Sequence, residues 1–440
     1  MKITISTVGS RGDVQPYIAL GRGLSNAGHS VTLAVDRIFE SFVQENGLKY
    51  AYLSADPLKA LEVDIRALGN NPIKVFRWMA NIVEQIGSEF TETFLQANQG
   101  ADLMIFSSLA AMVGVHVGAV LNLPMFASVL QPVVPTRAYP YSAGAILPDW
   151  LPLRGFINRQ SYIFYNRFLY RLFYQMINRD RERVLNLPQL SWKAYVNLDL
   201  SQYPILHGFS RYVIPFPPDY DQNQIFTGYW FLDQQEDWQP SPELETFLSR
   251  EPKPVYIGFG SMVDKEADEL TRMVVDSLRI SKQRAVLLGG WTDLGGSGLP
   301  ENILKVDHVP HDWLFPRVAA AVHHGGAGTT AASLRAGTPT VVVPFFADQP
   351  FWGWRVEKLG VGPKPIPRLK LTADKLAAAI TRAVQDEGIR LRAAQLGQKI
   401  RAEDGVGNAV RAVEEIMSTQ RDKIMPTPEL LGKDSSIKLL

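Results

Sequence analysis

The stretch AAAVHHGGAGTTAASLRAGTPTVVVPFFADQPFWG, residues 319–353, decides how this chain folds. An apolar run ends at His323-His324, glycines stand at 325, 326 and 328, and Thr329-Thr330 open a helical segment running to Arg335. Gly337 suits a left-handed helix cap, and TVVVPFF (340–346) reads as the next strand. Strand, glycine loop, helix and strand form the repeating unit of a doubly wound parallel sheet. Amides that open a helix are unpaired and carry partial positive charge, so a diphosphate fits there without a metal. The glycines allow close approach, and the threonine hydroxyls and an imidazole N–H add donors. The string is neither G-x-G-x-x-G nor a Walker loop, since no lysine follows the glycines. An ordinary tight turn is the alternative that the glycines alone leave open. Asp348-Gln349 closes the next strand on the same carboxyl edge, and the pair suits vicinal sugar hydroxyls because Asp accepts and Gln does both.

The same grammar recurs outward from this stretch. KITIST, a helix through QPYIALGRGLSNAGH and SVTLAV (30–35) make a first βαβ unit. DLMIFSS (102–108), a helix and PMFAS (124–128) repeat it. A less regular aromatic region covers 136–200, and VIPFPPDYDQNQ (213–224) with LDQQEDWQPSPE (232–243) reads as linker. The pattern restarts at PVYIGFGS (254–261), with a helix from about Glu266 and further strands at 285–290, 319–326 and 340–346. The expected division is an N-terminal domain over 1–215, a linker over 216–250, a C-terminal domain over 251–420 and a flexible tail over 421–440.

The 440 residues are 46% hydrophobic and 20% charged, with a net charge of +1, which is globular composition without a field that recruits nucleic acid. There is no cysteine, which excludes disulfides, thiolate metal sites and cysteine nucleophiles and fits a reducing, cytoplasmic setting. MKITISTVGS lacks the basic region and long apolar core of a secretory signal. The greasiest stretch, LAAMVGVHVGAVLNLPMFASVL (109–130), is broken by His116, Asn122 and Pro124 and reads as buried helix, turn and strand.

The segment HVPHDWLFPRVAAAVHHGGAGTTAASLRAGTPTVVVPFFADQPFWGWRVEKLGVGP (308–363) resembles the nucleotide-sugar-binding block of UDP-dependent glycosyltransferases, and it is most similar to their sterol glucosyltransferase-like branch. GSRGDVQPYIALGRGLSNAGHSV (9–31) resembles the acceptor domain of the same branch. The resemblance implies a GT-B type α/β fold, two Rossmann-like doubly wound domains facing across a cleft. The acceptor would bind on the N-terminal side and the UDP-sugar, first of all UDP-glucose, on the C-terminal side, with no permanently bound cofactor and no metal. Carried across residue by residue, His324 meets the phosphates, Gly325, Gly326, Gly328, Thr329 and Thr330 supply the loop donors, and Ser261 lies near the diphosphate. Asp348 and Gln349 hold the sugar hydroxyls. Two positions depart from the plant form of the motif. Its uracil-stacking Trp falls near His308, with Trp313 close by, so which ring stacks is open. Its ribose-binding Glu falls on Ala332, which cannot serve.

The first loop, Gly9-Ser10-Arg11-Gly12-Asp13, then has a different task. Related enzymes commonly place a histidine base there, and the resemblance implies Asp13 as the base that takes the acceptor's proton. An ordinary Asp, with a pKa of about 3.9, is ionised at neutral pH and helps as the hydroxyl becomes acidic during bond formation. A helix N-cap is the alternative for Asp13; Arg11 pairs with Asp13 or with diphosphate, and Gly9 and Gly12 allow a tight turn. The expected reaction is a single displacement that inverts the anomeric carbon, on a sterol, carotenoid or related terpenoid alcohol. Another donor sugar, a polyketide acceptor, or a nonenzymatic sugar-nucleotide sensor are the alternatives. FINRQSYIFYNRFLYRLFYQMINRDRERV (156–184) carries no acid before Asp180, and sets Phe164, Phe168 and Leu172 at helical spacing beside Arg167 and Arg171. It reads either as a peripheral membrane contact or as a covering helix with core aromatics and solvated arginines.

Overall fold

The computed structural model describes residues 1–54, 87–196, 198, 202–233, 238–259, 267–289 and 299–431. Its strands form two sheets. The first orders seven strands as β3-β2-β1-β4-β5-β6-β7: β1 (Lys2–Ser6), β2 (Ser30–Val35), β3 (Lys49–Tyr52), β4 (Leu103–Ser107), β5 (Met125–Val129), β6 (Ile205–His207) and β7 (Gln224–Phe226). The second orders five as β10-β9-β8-β11-β12: β8 (Val255–Gly258), β9 (Ala285–Leu288), β10 (Ile303–Val306), β11 (Ala321–His323) and β12 (Thr340–Val342). Every pairing is parallel, with Ile3 opposite Leu103 and His323 opposite Gly258 at the two centres. The central strands, such as Leu103–Ser107 and Met125–Val129, are apolar runs buried along their whole length, as sheets covered on both faces require.

Strand order reverses between β1 and β4 in the first sheet and between β8 and β11 in the second. Loops at such switch points cannot fold back over a neighbour, so a crevice opens there. The loop after β1 leads through Gly9 and Ser10 into a helix whose third residue is Asp13, and the loop after β11 leads through Gly325 and Gly326 into a helix that holds Gly328. Both glycine-rich loops therefore sit where each sheet has room for a ligand.

Helix α1 (Arg11–Asn26) buries Val14, Tyr17, Ile18 and Leu24 against the first sheet. Helix α2 (Ala111–Leu121) is buried, ends on left-handed Asn122 and leads into β5, the helix-turn-strand reading of 109–130. Among the described residues no helix is long and apolar enough to cross a membrane. Within the region read as irregular lies the 30-residue helix α3 (Arg154–Arg183). Its buried Asp180 accepts from the hydroxyls of Ser88 and Thr91 at 2.7 and 2.8 Å. Helices α4 (Ala267–Ser281), α5 (Ala327–Ala336), α6 (Gln349–Leu359), α7 (Ala373–Gln385) and α8 (Glu387–Arg401) belong to the second sheet's side of the molecule.

The last helix, α9 (Gly405–Thr419), returns to the first domain: Ala409, Val410 and Val413 pack in one core with Ile3, Ile5, Ile18 and Leu24. The outgoing and returning segments cross at Gly228 and Gly405, where a Cβ on Gly405 would lie 2.1 Å from the Tyr229 carbonyl oxygen. The composition-based division differs from this arrangement in three places. Strand β7 lies inside the expected linker, α9 inside the expected second domain, and the start of the expected flexible tail is anchored, its residues 432–440 lying outside the described ones. Ile424 and Leu430 are buried, and buried Arg181 donates to the Leu430 carbonyl at 2.9 Å. Proline-rich composition marks a break in helix or strand pattern, and it carries no signal of which core a segment joins.

Val413→Ala removes methyl groups from a fully buried position and is expected to cost about 2 kcal/mol. Denaturant unfolding, followed by protection of amides in β1, β2 and α1, should assign that loss to the first domain.

Candidate active site

Ser10, in extended backbone, is the N-cap of α1, and Asp13 is the third helical residue. Asp13 Oδ2 accepts from the Ser10 amide at 2.8 Å and from the Ser10 hydroxyl at 3.0 Å, half of a capping box. The N-cap alternative is thereby corrected, since Ser10 holds that position and Asp13 reaches back to it. Gly9 has φ 131°, and a Cβ there would fall 2.4 Å from Asp13 Oδ2. Gly9 thus makes room for the carboxylate, whereas Gly12 lies within α1 and makes no turn. Burial raises the Asp13 carboxyl above its usual range, and the two Ser10 hydrogen bonds work against that rise. Arg11 stacks its guanidinium 4.7 Å from the Phe42 ring centre and makes no hydrogen bond to Asp13 among the described contacts.

In the second domain, α5 opens at Ala327 behind its cap Gly326, two residues before the expected Thr329, and left-handed Gly337 ends it as the sequence pattern requires. Gly325 (φ 92°) could not carry a side chain: a Cβ would lie 2.6 Å from Val342 Cγ1. A Cβ on Gly326 would lie 2.5 Å from His324 Nε2, so the imidazole rests on this glycine. Gly328 is different, for its missing Cβ would point into open space. Glycine inside a helix costs about 1 kcal/mol, and here no neighbour in the chain demands it. His324 Nδ1 and Thr330 Oγ1, on either side of the loop, are buried without a hydrogen-bond partner among the described residues. Thr329, between them, is partly buried.

The strand-end pair takes an unexpected form. Asp348 precedes α6 and accepts from Trp352 Nε1 at 2.7 Å. Gln349 is buried, and its amide oxygen accepts from the backbone of Phe345 and Phe346 at 2.8 and 3.2 Å, pinning the turn. Ala347 within that turn has φ 56°, a left-handed conformation that side chains other than glycine enter at a cost. Burial pushes Asp348 up to about 6, and the negative charge of Asp13 adds to the rise. That coupling brings the switch-point loop of one domain and the strand end of the other into one electrostatic environment.

His308 is exposed at the end of β10. Partial desolvation of its ring and then the charge of Arg11 lower its pKa, so the start of α1 lies near this point too. Trp313 is engaged by Arg317, 4.3 Å from its ring centre, and by the Trp238 edge at 5.1 Å. Ser261 lies outside the described residues. His311, which the pattern reading passed over, belongs to the same cluster. It stacks on Phe315 at 4.5 Å, shares a 3.2 Å hydrogen bond with the Tyr256 hydroxyl, and is lowered to about 4 by burial and by its neighbours His324, His308 and Arg11. Its place after Pro310, at the first position of the short helix His311–Leu314, was the available signal. His324 is likewise held near 4 by burial. His323 turns inward, accepting from the Gly325 amide at 3.0 Å, and is fully buried. Among the described residues no group of three or more His, Cys, Asp or Glu is arranged to hold a metal ion.

Residues 3–140 match the model of the glycosyltransferase family 28 N-terminal domain, and 292–416 match that of the erythromycin biosynthesis protein CIII-like C-terminal domain. Sterol 3-beta-glucosyltransferase of Emericella nidulans is 37% identical over 97% of this chain and 31% of its own length. The enzyme of the same name from Vanderwaltozyma polyspora is 37% identical over 92% of the chain and 34% of its own length. The chain thus spans about a third of the length of the curated relatives it matches. Among solved structures, the glycosyltransferase of kitacinnamycin superposes with a TM-score of 0.68 at 21% identity, covering 94% of this chain and 98% of that one. The calicheamicin glycosyltransferase CalG4 superposes with a TM-score of 0.68 at 17% identity, covering 95% and 98%. Those two likenesses establish the fold, and the sequence matches establish the lineage. With a family model matched on each half and relatives aligned along nearly its whole length, the chain belongs to the two-Rossmann-domain glycosyltransferases, in their sterol glucosyltransferase-like branch.

Proposed function

We propose that the chain is a metal-independent, inverting glucosyltransferase that moves glucose from UDP-glucose to the hydroxyl of a sterol or related lipophilic alcohol. The observation that carries this reading is the glycine loop that opens α5, where Gly328 faces open space and His324 Nδ1 and Thr330 Oγ1 are buried without a hydrogen-bond partner among the described residues. The names of the curated relatives support glucose and a sterol as the exchanged parts.

In this reading the diphosphate lies on the opening turn of α5. Gly328 leaves space for it, and His324, Thr329, Thr330 and the loop amides donate to it. The imidazoles of His324 and His311 are neutral at neutral pH in the free protein, and an approaching diphosphate favours their protonated forms. The family resemblance adds Ser261, three residues beyond β8 in the sequence, to the donor side. His308 meets the uracil, because Trp313 is already held by Arg317 and Trp238. Asp348 accepts from the sugar hydroxyls, and Gln349 contributes mainly by fixing the turn that presents it.

The acceptor oxygen attacks the anomeric carbon from the face opposite UDP. The new C–O bond forms as the bond to the β-phosphate oxygen breaks, UDP leaves with the electron pair, and the hydroxyl proton passes to Asp13. Partial burial makes Asp13 a stronger base than a solvated carboxylate, and Ser10 fixes its orientation. Donors aimed at the departing diphosphate stabilise the charge that grows there.

Two outcomes are expected. Asp13→Asn, which can still accept from Ser10, should lower turnover of UDP-glucose with a sterol about 10²–10⁴-fold while donor binding persists. Turnover near that of the parent would remove the base assignment, and absence of glucoside by product mass spectrometry over a sterol panel would remove the function. The second concerns stability. With its carboxyl raised from 3.8 to about 6, native Asp348 binds a proton more tightly than the unfolded chain between those values. Stability therefore falls as pH rises through that window, and the cost is fully present above 6. Asp348→Asn should raise stability on the order of 2 kcal/mol above the window and leave it little changed below, as thermal unfolding against pH would show.

A further inference from the structure

Five large apolar side chains stand in solvent over one short segment. Trp150 is 78% exposed, Leu153 76%, Phe164 67%, Phe156 57% and Ile157 40%. Phe156, Gln160, Phe164, Arg167 and Arg171 follow spacings of three and four, so they share the outer face of α3, and Arg159 flanks it. The face expected from Phe164, Phe168 and Leu172 is thereby corrected, because Leu172 is buried in the core and Phe164 is not. On this helix the first carboxylate is Asp180, which is buried. Asp149, just before it, is bound to Arg154 and Lys358. Among the described residues neither Arg159 nor Arg167 pairs with an acid, and Arg171 stands 5.9 Å over Trp192. The outer face is therefore apolar at its start and positive further along, in a chain whose net charge is only +1.

The inner side of the same segment adjoins the cleft. Tyr165 of α3 stacks on Tyr141 at 4.6 Å, and the Tyr141 hydroxyl is raised chiefly by burial and also by the charges of Tyr165 and Asp348. Tyr139 packs edge-on against Phe351 of α6 at 6.1 Å. The inner side of α3 thus meets Tyr141, which feels the charge of Asp348, while its outer side stands in solvent.

We propose that this face docks on an anionic lipid bilayer. Trp150, Leu153, Phe156 and Phe164 enter the head-group region, and Arg159, Arg167 and Arg171 lie at the level of the lipid phosphates. A large apolar patch bordered by cations of one sign complements such a surface. The cleft then opens beside the phase that dissolves a sterol. The inference rests on the lipophilic-acceptor reading given above.

Flotation with phosphatidylcholine vesicles and with phosphatidylcholine–phosphatidylserine vesicles, without donor, tests it. The parent should float with the anionic vesicles and be released by salt. Arg159→Glu with Arg167→Glu should lower the partition by about 25-fold or more, at about fivefold per cation lost and with two carboxylates added. Trp150→Ser with Phe156→Ser and Phe164→Ser should abolish flotation. All these side chains are exposed, so both variants should unfold at the parent temperature and glucosylate detergent-dissolved sterol normally, while losing rate on vesicle-embedded sterol. Failure of the parent to float, or variants that float like it, overturns the proposal. Self-association of the parent that the apolar variant loses, without vesicle binding, assigns the face to a second copy and overturns it too. Because flotation needs no turnover, a protein that floats but does not glucosylate sterols would sink only the functional reading.

Discussion

Parallel strands cannot be joined by tight turns. Each connection must cross over, and every helix therefore starts at the same edge of its sheet. Unpaired helix-opening amides and strand-end side chains collect on that edge, and the reversal of strand order leaves a crevice at its middle. The placement of Asp13, His324 and the glycine loop depends on this constraint. The two loops do different work with the same backbone plan. After β11, glycines bring an imidazole and open amides to an empty place. After β1, one glycine makes way for a carboxylate tied to the cap of its own helix.

The electrostatic character of the cleft follows from that gathering. Asp13 and Asp348 arrive from different domains, and each is partly withdrawn from water. Their proximity raises the Asp348 pKa further, which costs the fold stability at neutral pH. The histidines opposite are kept neutral chiefly by burial. A site with two strained carboxylates and several uncharged imidazoles is arranged for ligands that bring both hydroxyls and negative charge. The left-handed Ala347 adds a local backbone cost at the same turn.

The two domains are held by more than the cleft. The chain crosses between them twice, at Gly228 and Gly405, and Asn408 of the returning helix donates to the Thr227 carbonyl at 2.8 Å. Arg355 of α6 donates to the Val213 carbonyl at 2.9 Å, and Lys358 reaches Asp149. Helix α9 thus completes the core of the first domain although it is last in sequence. The aromatic segment after β5 bridges the cleft through Tyr139 and Tyr141 and then exposes the outer face of α3.

Much of this was legible in the residues alone. Strands such as β2 and helices such as α1 and α5 follow from period and capping, because backbone hydrogen bonding and burial impose them locally. The glycine loop and Asp13 were marked for the same reason: their conformations are set within a few residues. What lies between distant residues was not legible. That Gln349 spends its oxygen on its own turn, that Trp313 is held by Trp238, and that His311 joins His324 are outcomes of packing between segments. So are the return of α9, the exposure of Phe164 and the burial of Leu172. The sequence by itself determined the elements around the two glycine-rich loops and the chemistry at their edges, since these depend on short-range pattern. Tertiary structure alone decided which side chains meet across the cleft and which remain in water, since burial is settled by the whole chain at once.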